Sequence, residues 1–234
     1  KHRLRNILDK IGVDRRLKEF KLSRCDLTCN LYYERKAYVQ NRLDIFKKSF
    51  PIPHYSAVKF GKHPNSDERF KGANKHSWTI TNKSKSCTFS AYDKTYELEK
   101  RHHIVINEHI LRLELRFGRS KIIKITKVKD WESQLIEFGS QVEKQQQKFL
   151  HRLHMMHFDP IPLPELLDCI NASKYRDKTK RKLRRIAKKA NGCVSLAAVQ
   201  KDCRIRKSEF IKLLGKFEEM GVGIASASLS SHTV

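Results

Sequence analysis

Alternating apolar and polar positions mark several β-strands along this chain. Residues 110–117 place an apolar side chain at every second position, and the intervening positions are charged: Leu111, Leu113, Leu115 and Phe117 alternate with Arg112, Glu114 and Arg116. Successive side chains of a strand point to opposite faces, so this pattern predicts one core face and one charged face. The same period predicts strands over 20–31, 77–82 and 86–92, the last two joined by a polar turn at 83–85.

Helical spacing of apolar residues occurs between and after these strands. Residues 34–50 carry apolar side chains near one helix face, and Pro51 and Pro53 end the predicted helix. The pattern also predicts a basic helix over 1–16 and a long helix over 129–156. Three prolines within 158–164 predict a linker, because they interrupt every regular pattern there.

The last third of the chain has a helical pattern throughout. A basic helix is predicted over 174–189, and 195–221 predicts two helices joined at Cys203 to Arg206, which is compatible with a helix-turn-helix. We expect residues 226–234 to be disordered. The whole pattern predicts an α+β fold, in which a central antiparallel sheet with flanking helices occupies 1–158 and a small basic all-α domain occupies 159–234.

Charge narrows the class of partner. The 234 residues include 50 Lys+Arg and 25 Asp+Glu, a net charge of +25, and a surface of this kind attracts polyanions, with nucleic acid as the first candidate. No apolar run is long enough for a membrane span, and the first residues lack the apolar core of a secretory signal, so we expect neither a membrane nor an exported protein. Six cysteines form no CxxC pair, which favours buried thiols over zinc ligands or disulfides.

The densest positive charge lies in 174–189, where ten Lys and Arg accompany one Asp. Such a run repels itself unless phosphates are near, and DNA contact is therefore the favoured interpretation over a solvated helix face. The predicted DNA contacts in this half are Lys180, Arg181, Arg184, Arg185, Arg206 and Lys207. For the predicted helix pair, the alternative is a small helical bundle that reads no bases.

Three predicted strands each carry polar groups on one side. Asp26 shares its side with Arg24 and Thr28, Ser90 shares its side with Tyr92, and Glu114 lies between Arg112 and Arg116. We expect these three arginines to contact DNA. A solvated face with surface ion pairs is the alternative explanation.

The segment AYDKTYELEK, residues 91–100, favours chemistry over a solvated face. Tyr92 ends a strand, and Lys94 and Glu97 follow in the first turns of a predicted helix. A phenol, an ammonium and nearby carboxylates suffice for phosphoryl transfer to tyrosine, with a divalent metal polarising the phosphate oxygens. Oxygen ligands select Mg²⁺ or Mn²⁺. We therefore predict Tyr92 and Lys94 as catalytic residues, and Asp26, Glu114 and the junction carboxylates Asp93 and Glu97 as candidate metal ligands.

Four segments resemble the II/X family of phage and plasmid replication proteins, the rolling-circle initiators typified by the gene II protein of filamentous phages. They are SRCDLTCNLYY (23–33), SAYDKTYELEK (90–100), LRLELRF (111–117) and RKSEFIKLLGKFEEMGVGI (206–224). The resemblance implies a rolling-circle Rep or HUH-like nuclease fold. It also implies that Tyr92 is the nicking nucleophile, with Lys94 and Glu97 as partners in its motif and Asp26 and Glu114 as the acids of the two strand motifs.

The implied activity is that of a metal-dependent tyrosine DNA endonuclease and transesterase. Such an enzyme nicks a plus-strand origin, forms a 5′-phosphotyrosine intermediate, leaves a free 3′-hydroxyl primer and later rejoins the strand. The implied partners are single- and double-stranded origin DNA together with host helicase and polymerase, in the cytoplasm of a bacterial host. Related enzymes bind metal through a His-x-His pair, which occurs nowhere in this chain, so carboxylates must replace it.

Two other classes of function stay open from the sequence. One is a non-enzymatic DNA-binding regulator of a phage or plasmid, in which the acidic residues are structural. The other is a metal-dependent nuclease that uses water and releases free 5′-phosphate ends. Within the motif, Tyr96 is either a second nucleophile or, as we favour, a ring that packs or contacts DNA. For His151, His154 and His157 a polar helix flank with some DNA contact is favoured over a metal site, because no acidic or Cys partner is evident nearby.

Overall fold

The fold is known from a computed structural model, which describes residues 2–10, 20–57, 75–159, 161–191 and 195–224. Its sheet has five strands in the order β1-β5-β4-β3-β2, with every neighbouring pair antiparallel. The strands are β1 Arg24–Tyr33, β2 Tyr55–Ala57, β3 Ser77–Asn82, β4 Cys87–Asp93 and β5 His109–Gly118. The predicted α+β fold with an antiparallel sheet is therefore confirmed, while the short β2 was not predicted.

The first part of the chain also contains several helices. They are α1 His2–Lys10, α2 Lys36–Lys48, the single turn α3 Lys94–Glu97, α4 Arg119–Thr126, α5 Trp131–Ser140 and α6 Val142–Arg152. A π-helical turn, Leu98–His102, continues directly from α3. Only part of the helix predicted over 1–16 lies within the described residues.

The long helix predicted over 129–156 is wrong as a single element. Helix α5 ends at Ser140, and α6 begins at Val142, with Gln141 between them at φ −109° and ψ 2°. Gly139 and Ser140 precede this break, and both residue types are weaker helix formers than the residues around them. The apolar period continues across the break, which is why the pattern alone indicated one helix.

The core lies on one face of the sheet, as the alternation predicted. Leu111, Leu113, Leu115 and Phe117 of β5 are all buried. Helix α2 covers this face, and its fully buried Phe46 packs against Trp78 and Phe89 at ring-centroid distances of 5.9 and 5.7 Å. The charged side chains of the same strands lie on the opposite face.

Four further helices are α7 Leu163–Ala172, α8 Asp177–Ala190, α9 Leu196–Asp202 and α10 Lys207–Glu219. Helix α7 begins inside the proline-rich segment, because Pro164 is compatible with the first turn of a helix. The predicted helix pair is confirmed, with Cys203 to Arg206 as its connection. The tail 226–234 lies outside the described residues. Within the described residues, no helix has the length and apolar character needed to cross a membrane.

The hydrophobic core continues from the sheet layer into these helices. Phe50, which follows α2, packs on Phe210 of α10 with ring centroids 5.3 Å apart. Arg42 donates to Asp159 at 2.7 Å, across the predicted domain boundary. The boundary near residue 158 stays a prediction, and one cluster of buried side chains spans it.

Candidate active site on the polar face of the sheet

The register of the sheet aligns the polar side chains in rows. Residues that are directly opposite in an antiparallel pair share a face, and their Cβ atoms lie about 4.5–5.5 Å apart. Three rows cross β1, β5 and β4: Asp26, Arg116 and Thr88; Thr28, Glu114 and Ser90; Asn30, Arg112 and Tyr92. The polar groups that the sequence indicates separately in three strands therefore lie side by side on one surface.

A chain of contacts runs across this surface from Tyr92 to Arg24. The Tyr92 hydroxyl donates to Glu114 Oε2 at 3.3 Å. Arg116 donates through Nη2 to Glu114 Oε1 at 2.8 Å and through Nε to Asp26 Oδ1 at 3.3 Å. Arg24 donates to Asp26 through Nε at 2.9 Å and also through Nη2. Positive and negative groups alternate along this series of contacts, so each of the two carboxylates is paired with a guanidinium.

The pKa values of Asp26 and Tyr92 shift in opposite directions in these surroundings. Burial works against ionisation of Asp26, but the hydrogen bond from Arg24 and the charge of Arg116 outweigh it and hold the pKa of Asp26 below its usual value. Burial, and then the negative charges of Glu114 and Glu97, raise the pKa of Tyr92. Tyr92 is therefore a protonated phenol at neutral pH, and it needs a base in contact to become a nucleophile.

Tyr92 opens onto a cleft of about 510 Å³. The predicted site residues Glu97, Glu114 and Arg116 also line this cleft. Lys94 contacts one of these lining residues, because its ammonium donates to Glu97 at 2.6 Å. Asp26 likewise contacts a lining residue, since it accepts a hydrogen bond from Arg116.

The strand-to-helix junction is organised by Asp93, the last residue of β4. Its side chain is 5% exposed and accepts from the Tyr96 backbone N–H at 2.9 Å, which caps α3. Glu97 instead faces the cleft, where Arg101 lies 3.6 Å from its Oε1. The junction then continues as a π-helical turn, a rare element that occurs frequently at functional sites.

The predicted metal ligands are only partly brought together. Asp26 and Glu114 both contact the guanidinium of Arg116, so these two carboxylates already share one cation. The oxygens of Glu97 face Lys94 and Arg101 instead. Among the described residues, no group of three or more His, Cys, Asp or Glu is arranged to hold a metal ion. Mg²⁺ and Mn²⁺ can bind through one or two carboxylates and keep several waters, so a site on Asp26 and Glu114 stays a prediction, as does the three-ligand site that includes Glu97.

The sequence interpretation missed His76. Its ring stacks on that of Tyr96, with centroids 3.6 Å apart and planes at 5°, and its Nδ1 lies 3.4 Å from Asp93 Oδ2. Burial lowers the pKa of His76, and Asp93 acts in the opposite direction. A signal was present, because counting back along the hairpin from its 83–85 turn pairs Ser77 with Tyr92 and so places His76 beside Asp93.

The predicted DNA contacts of the sheet face differ in exposure. The side chains of Arg24 and Arg116 are 56% and 41% exposed, so both are available to a phosphate. Arg112 is half-buried, and its Nε donates to Asn30 at 2.7 Å. Its charge therefore acts beside Tyr92, where it works against the raised pKa of that phenol.

The predicted contacts of the helical part also divide into two groups. Lys180 and Arg184 donate to the backbone and side chain of Asn171, at the end of α7, at 2.7 and 2.8 Å. Arg181 and Arg185 are exposed, and four residues separate them along α8, so they lie on one helix face. Arg206 and Lys207 are exposed at the start of α10.

His151, in α6, and His154, which follows that helix, have an acidic partner, contrary to the sequence interpretation. Nδ1 of His151 and Nδ1 of His154 each lie 3.2 Å from Glu218 Oε2, on α10. Glu218 is 64 residues away from His154, so the local pattern gave no signal for it. The described cysteines, Cys25, Cys29, Cys87, Cys169 and Cys203, are free thiols, and Cys193 lies outside the described residues.

Comparisons of this chain with models of protein families, with curated proteins and with solved structures found no match.

Proposed function

We propose that this protein is a rolling-circle replication initiator with a Rep or HUH-like nuclease fold, which nicks and rejoins single-stranded origin DNA through Tyr92. The observation that carries the proposal is the contact between the Tyr92 phenol and Glu114 in a cleft lined by Arg116, Lys100 and Arg101. A nucleophile, a base in contact with it and cations for a phosphate are the groups that a transesterification on DNA needs.

In this mechanism Glu114 takes the phenolic proton as the Tyr92 oxygen attacks the scissile phosphorus. The bond from phosphorus to the tyrosine oxygen forms, the bond to the 3′-oxygen breaks, and that oxygen leaves with a proton from water. The products are a 5′-phosphotyrosine and a free 3′-hydroxyl primer. Attack by a 3′-hydroxyl on the phosphotyrosine reverses these steps and rejoins the strand.

Arginine and lysine supply the compensating charge. Arg116 is exposed enough to reach a phosphate while it holds Glu114, and guanidinium groups match phosphate oxygens in bidentate geometry. Lys94 fixes the position of Glu97 at the edge of the cleft. Mg²⁺ or Mn²⁺ held by Asp26 and Glu114 would polarise the phosphate oxygens.

A non-enzymatic DNA-binding regulator is the second candidate. One observation favours it: the predicted acidic site residues Asp26, Glu97 and Glu114 are each paired with a cation, as in a structural ion-pair network. Such a protein would bind DNA through the same basic surfaces and would form no covalent bond.

The deciding experiment uses a pool of random single-stranded oligonucleotides with Mn²⁺, because covalent capture does not require the origin sequence. We expect a protein-DNA band that survives denaturation, and mass spectrometry of its peptides should locate the nucleotide on Tyr92. Tyr92→Phe should abolish the band, whereas the matched variant Tyr32→Phe, on an exposed tyrosine of β1, should keep it.

Free 5′-phosphate ends without a covalent band would favour the water-using nuclease. DNA binding with neither product would favour the regulator. A band that survives in Tyr92→Phe and disappears in Tyr96→Phe would assign the nucleophile to the second tyrosine.

A further inference from the structure

The rings of His76 and Tyr96 form a stacked pair, and Asp93 contacts both residues. Asp93, which is buried, accepts from the Tyr96 backbone N–H through Oδ1 and faces His76 Nδ1 through Oδ2. One carboxylate thus positions both rings, and their planes differ by only 5°. An aromatic pair that is already ordered loses little conformational entropy when a ligand binds to it.

This pair lies at the same cleft as the nucleophile. His76, Tyr96 and Tyr92 all line it, and Ser77, the neighbour of His76, is directly opposite Tyr92 in the sheet. Anything that binds against the rings is therefore close to the reacting phenol.

Cations stand beside the rings. Lys100 and Arg101, in the π-helical turn that follows Tyr96, line the cleft as well. Their side chains are 59% and 75% exposed, so their charges are accessible to a ligand. Aromatic faces next to exposed cations match a ligand that alternates planar bases with phosphates.

We propose that His76 and Tyr96 form a stacking site for one base of a single strand, adjacent to the phosphate that Tyr92 attacks. Each ring uses one face against the other, and among the described residues no further ring or cation contact is made to either one. Stacking tolerates every base, because every base has a π-face. The single strand as ligand rests on the proposed function, while the stacking itself does not require cleavage.

Duplex DNA fits this site less well, because its bases are already stacked on one another, so its phosphates, sugars and base edges are accessible but its base faces are not. The site therefore selects the unpaired strand, whereas the basic α8 face offers contacts that either form of DNA can use. Of the two surfaces, only the ring pair is therefore expected to discriminate between single-stranded and duplex DNA.

The test measures binding in the Tyr92→Phe background, so that cleavage plays no part. The probe is a thymidine oligonucleotide of about 12 nucleotides with one 2-aminopurine, whose fluorescence is quenched by stacking. Tyr96→Leu removes the ring and should weaken binding by about 5- to 150-fold and restore the fluorescence. Tyr96→Phe keeps the ring and should bind like the parent protein.

Two controls make the result specific. Tyr38→Leu removes a partly exposed ring from α2, which covers the opposite sheet face, and should change nothing. The second control leaves both rings of the protein unchanged. It uses a thymidine oligonucleotide that carries 5-iodouracil, and irradiation should crosslink this oligonucleotide to His76 or Tyr96.

Unchanged affinity and quenching in a folded Tyr96→Leu protein, or crosslinks that map only to other residues, would overturn the proposal. An equal loss of duplex binding in Tyr96→Leu would overturn its specificity for a single strand. A failure of covalent capture together with Tyr96-dependent quenching would sink the nicking function and leave the stacking site standing.

Discussion

The proposed chemistry depends on the Tyr92 phenol, and the surroundings of this side chain raise its pKa. Burial and two carboxylates favour the protonated form, so the free phenolate is scarce at neutral pH. Direct contact with Glu114 resolves this, because the proton can leave during the attack rather than before it.

Glu114→Gln should slow adduct formation by about 10²- to 10⁴-fold, the range expected for loss of a general base. The pKa of Tyr92 should fall in this variant, since the charge of Glu114 is one cause of its rise. Tyrosinate absorbance, measured against the matching Tyr92→Phe proteins, reports that pKa. Glu99→Gln, on an exposed glutamate, is the control, and an unchanged rate in Glu114→Gln would remove Glu114 from this role.

Asp26 should make stability depend on pH in the acidic range. Its folded-state pKa lies below the unfolded value of about 3.9, so its stabilising contribution is present above that value and is lost as pH falls through the folded pKa. Asp26→Asn should cost about 1 kcal/mol at neutral pH, and the difference from the parent should vanish in acid. Urea unfolding of both proteins at neutral and at acidic pH measures this difference in the free energy of unfolding.

That expectation corrects a simple view of the site as a cluster of mutually repelling carboxylates. Arg24 and Arg116 both donate to Asp26, so removing its charge leaves two guanidinium groups without their partner. If Asp26→Asn were as stable as the parent at neutral pH, these contacts would contribute nothing measurable.

Metal binding can be tested without activity. Mn²⁺ should raise the melting temperature by mass action, and Asp26→Asn should erase that rise. Glu97→Gln should largely keep it, because no described contact brings Glu97 to the pair formed by Asp26 and Glu114. Equal losses in the two variants would support the three-carboxylate site instead.

The cations of helix α8 have two roles: some form hydrogen bonds within the protein, and others are exposed to solvent. Its buried side, with Leu183 and Ile186, belongs to the core, and its cations divide between structural contacts and solvent. Lys180 and Arg184 hold the end of α7, while Arg181 and Arg185 are exposed.

Replacing Arg181 and Arg185 together with Gln should therefore reduce the slope of log affinity against log salt for duplex DNA by about 1.8, at about 0.9 per phosphate contact. The matched double variant Lys180→Gln with Arg184→Gln removes the same charge. It should change the slope much less, because those cations are engaged within the protein. Equal slopes in both variants would mean that α8 acts through its net charge alone.

The assembly of the whole chain rests on contacts between the sheet layer and the last helices. Phe50 packs on Phe210, and Glu218 of α10 lies against His151 of α6 and against His154, which follows that helix. The elements that carry the proposed nicking site and the basic face of α8 therefore share one cluster of buried side chains.

A fragment that ends at Pro160 should consequently be less stable than the full chain, because truncation exposes the apolar surface around Phe50. A lower melting temperature and a less cooperative transition by circular dichroism are expected. A fragment with an unchanged melting temperature would instead support two independent domains divided near residue 158.

The sequence was sufficient for much of the secondary structure and for the candidate chemistry. Alternation in 110–117 and the hairpin around 83–85 predicted the strands that the structure contains, and the prolines after Phe50 marked the end of α2. The motif around Tyr92 indicated the phenol and its local partners Lys94 and Glu97, which do meet in the structure. These features depend on residues close together in the chain, where periodicity and turn chemistry act.

Only the tertiary structure decided which distant groups meet. It brought Glu114 to Tyr92, placed Arg116 between Glu114 and Asp26, and set Glu218 against His154, across separations of 22, 90 and 64 residues. Strand order and register produce these contacts, and both depend on how the core packs rather than on any local pattern. Residue types and spacing thus determined what the face of the sheet carries, and the packing of the strands determined what each group touches.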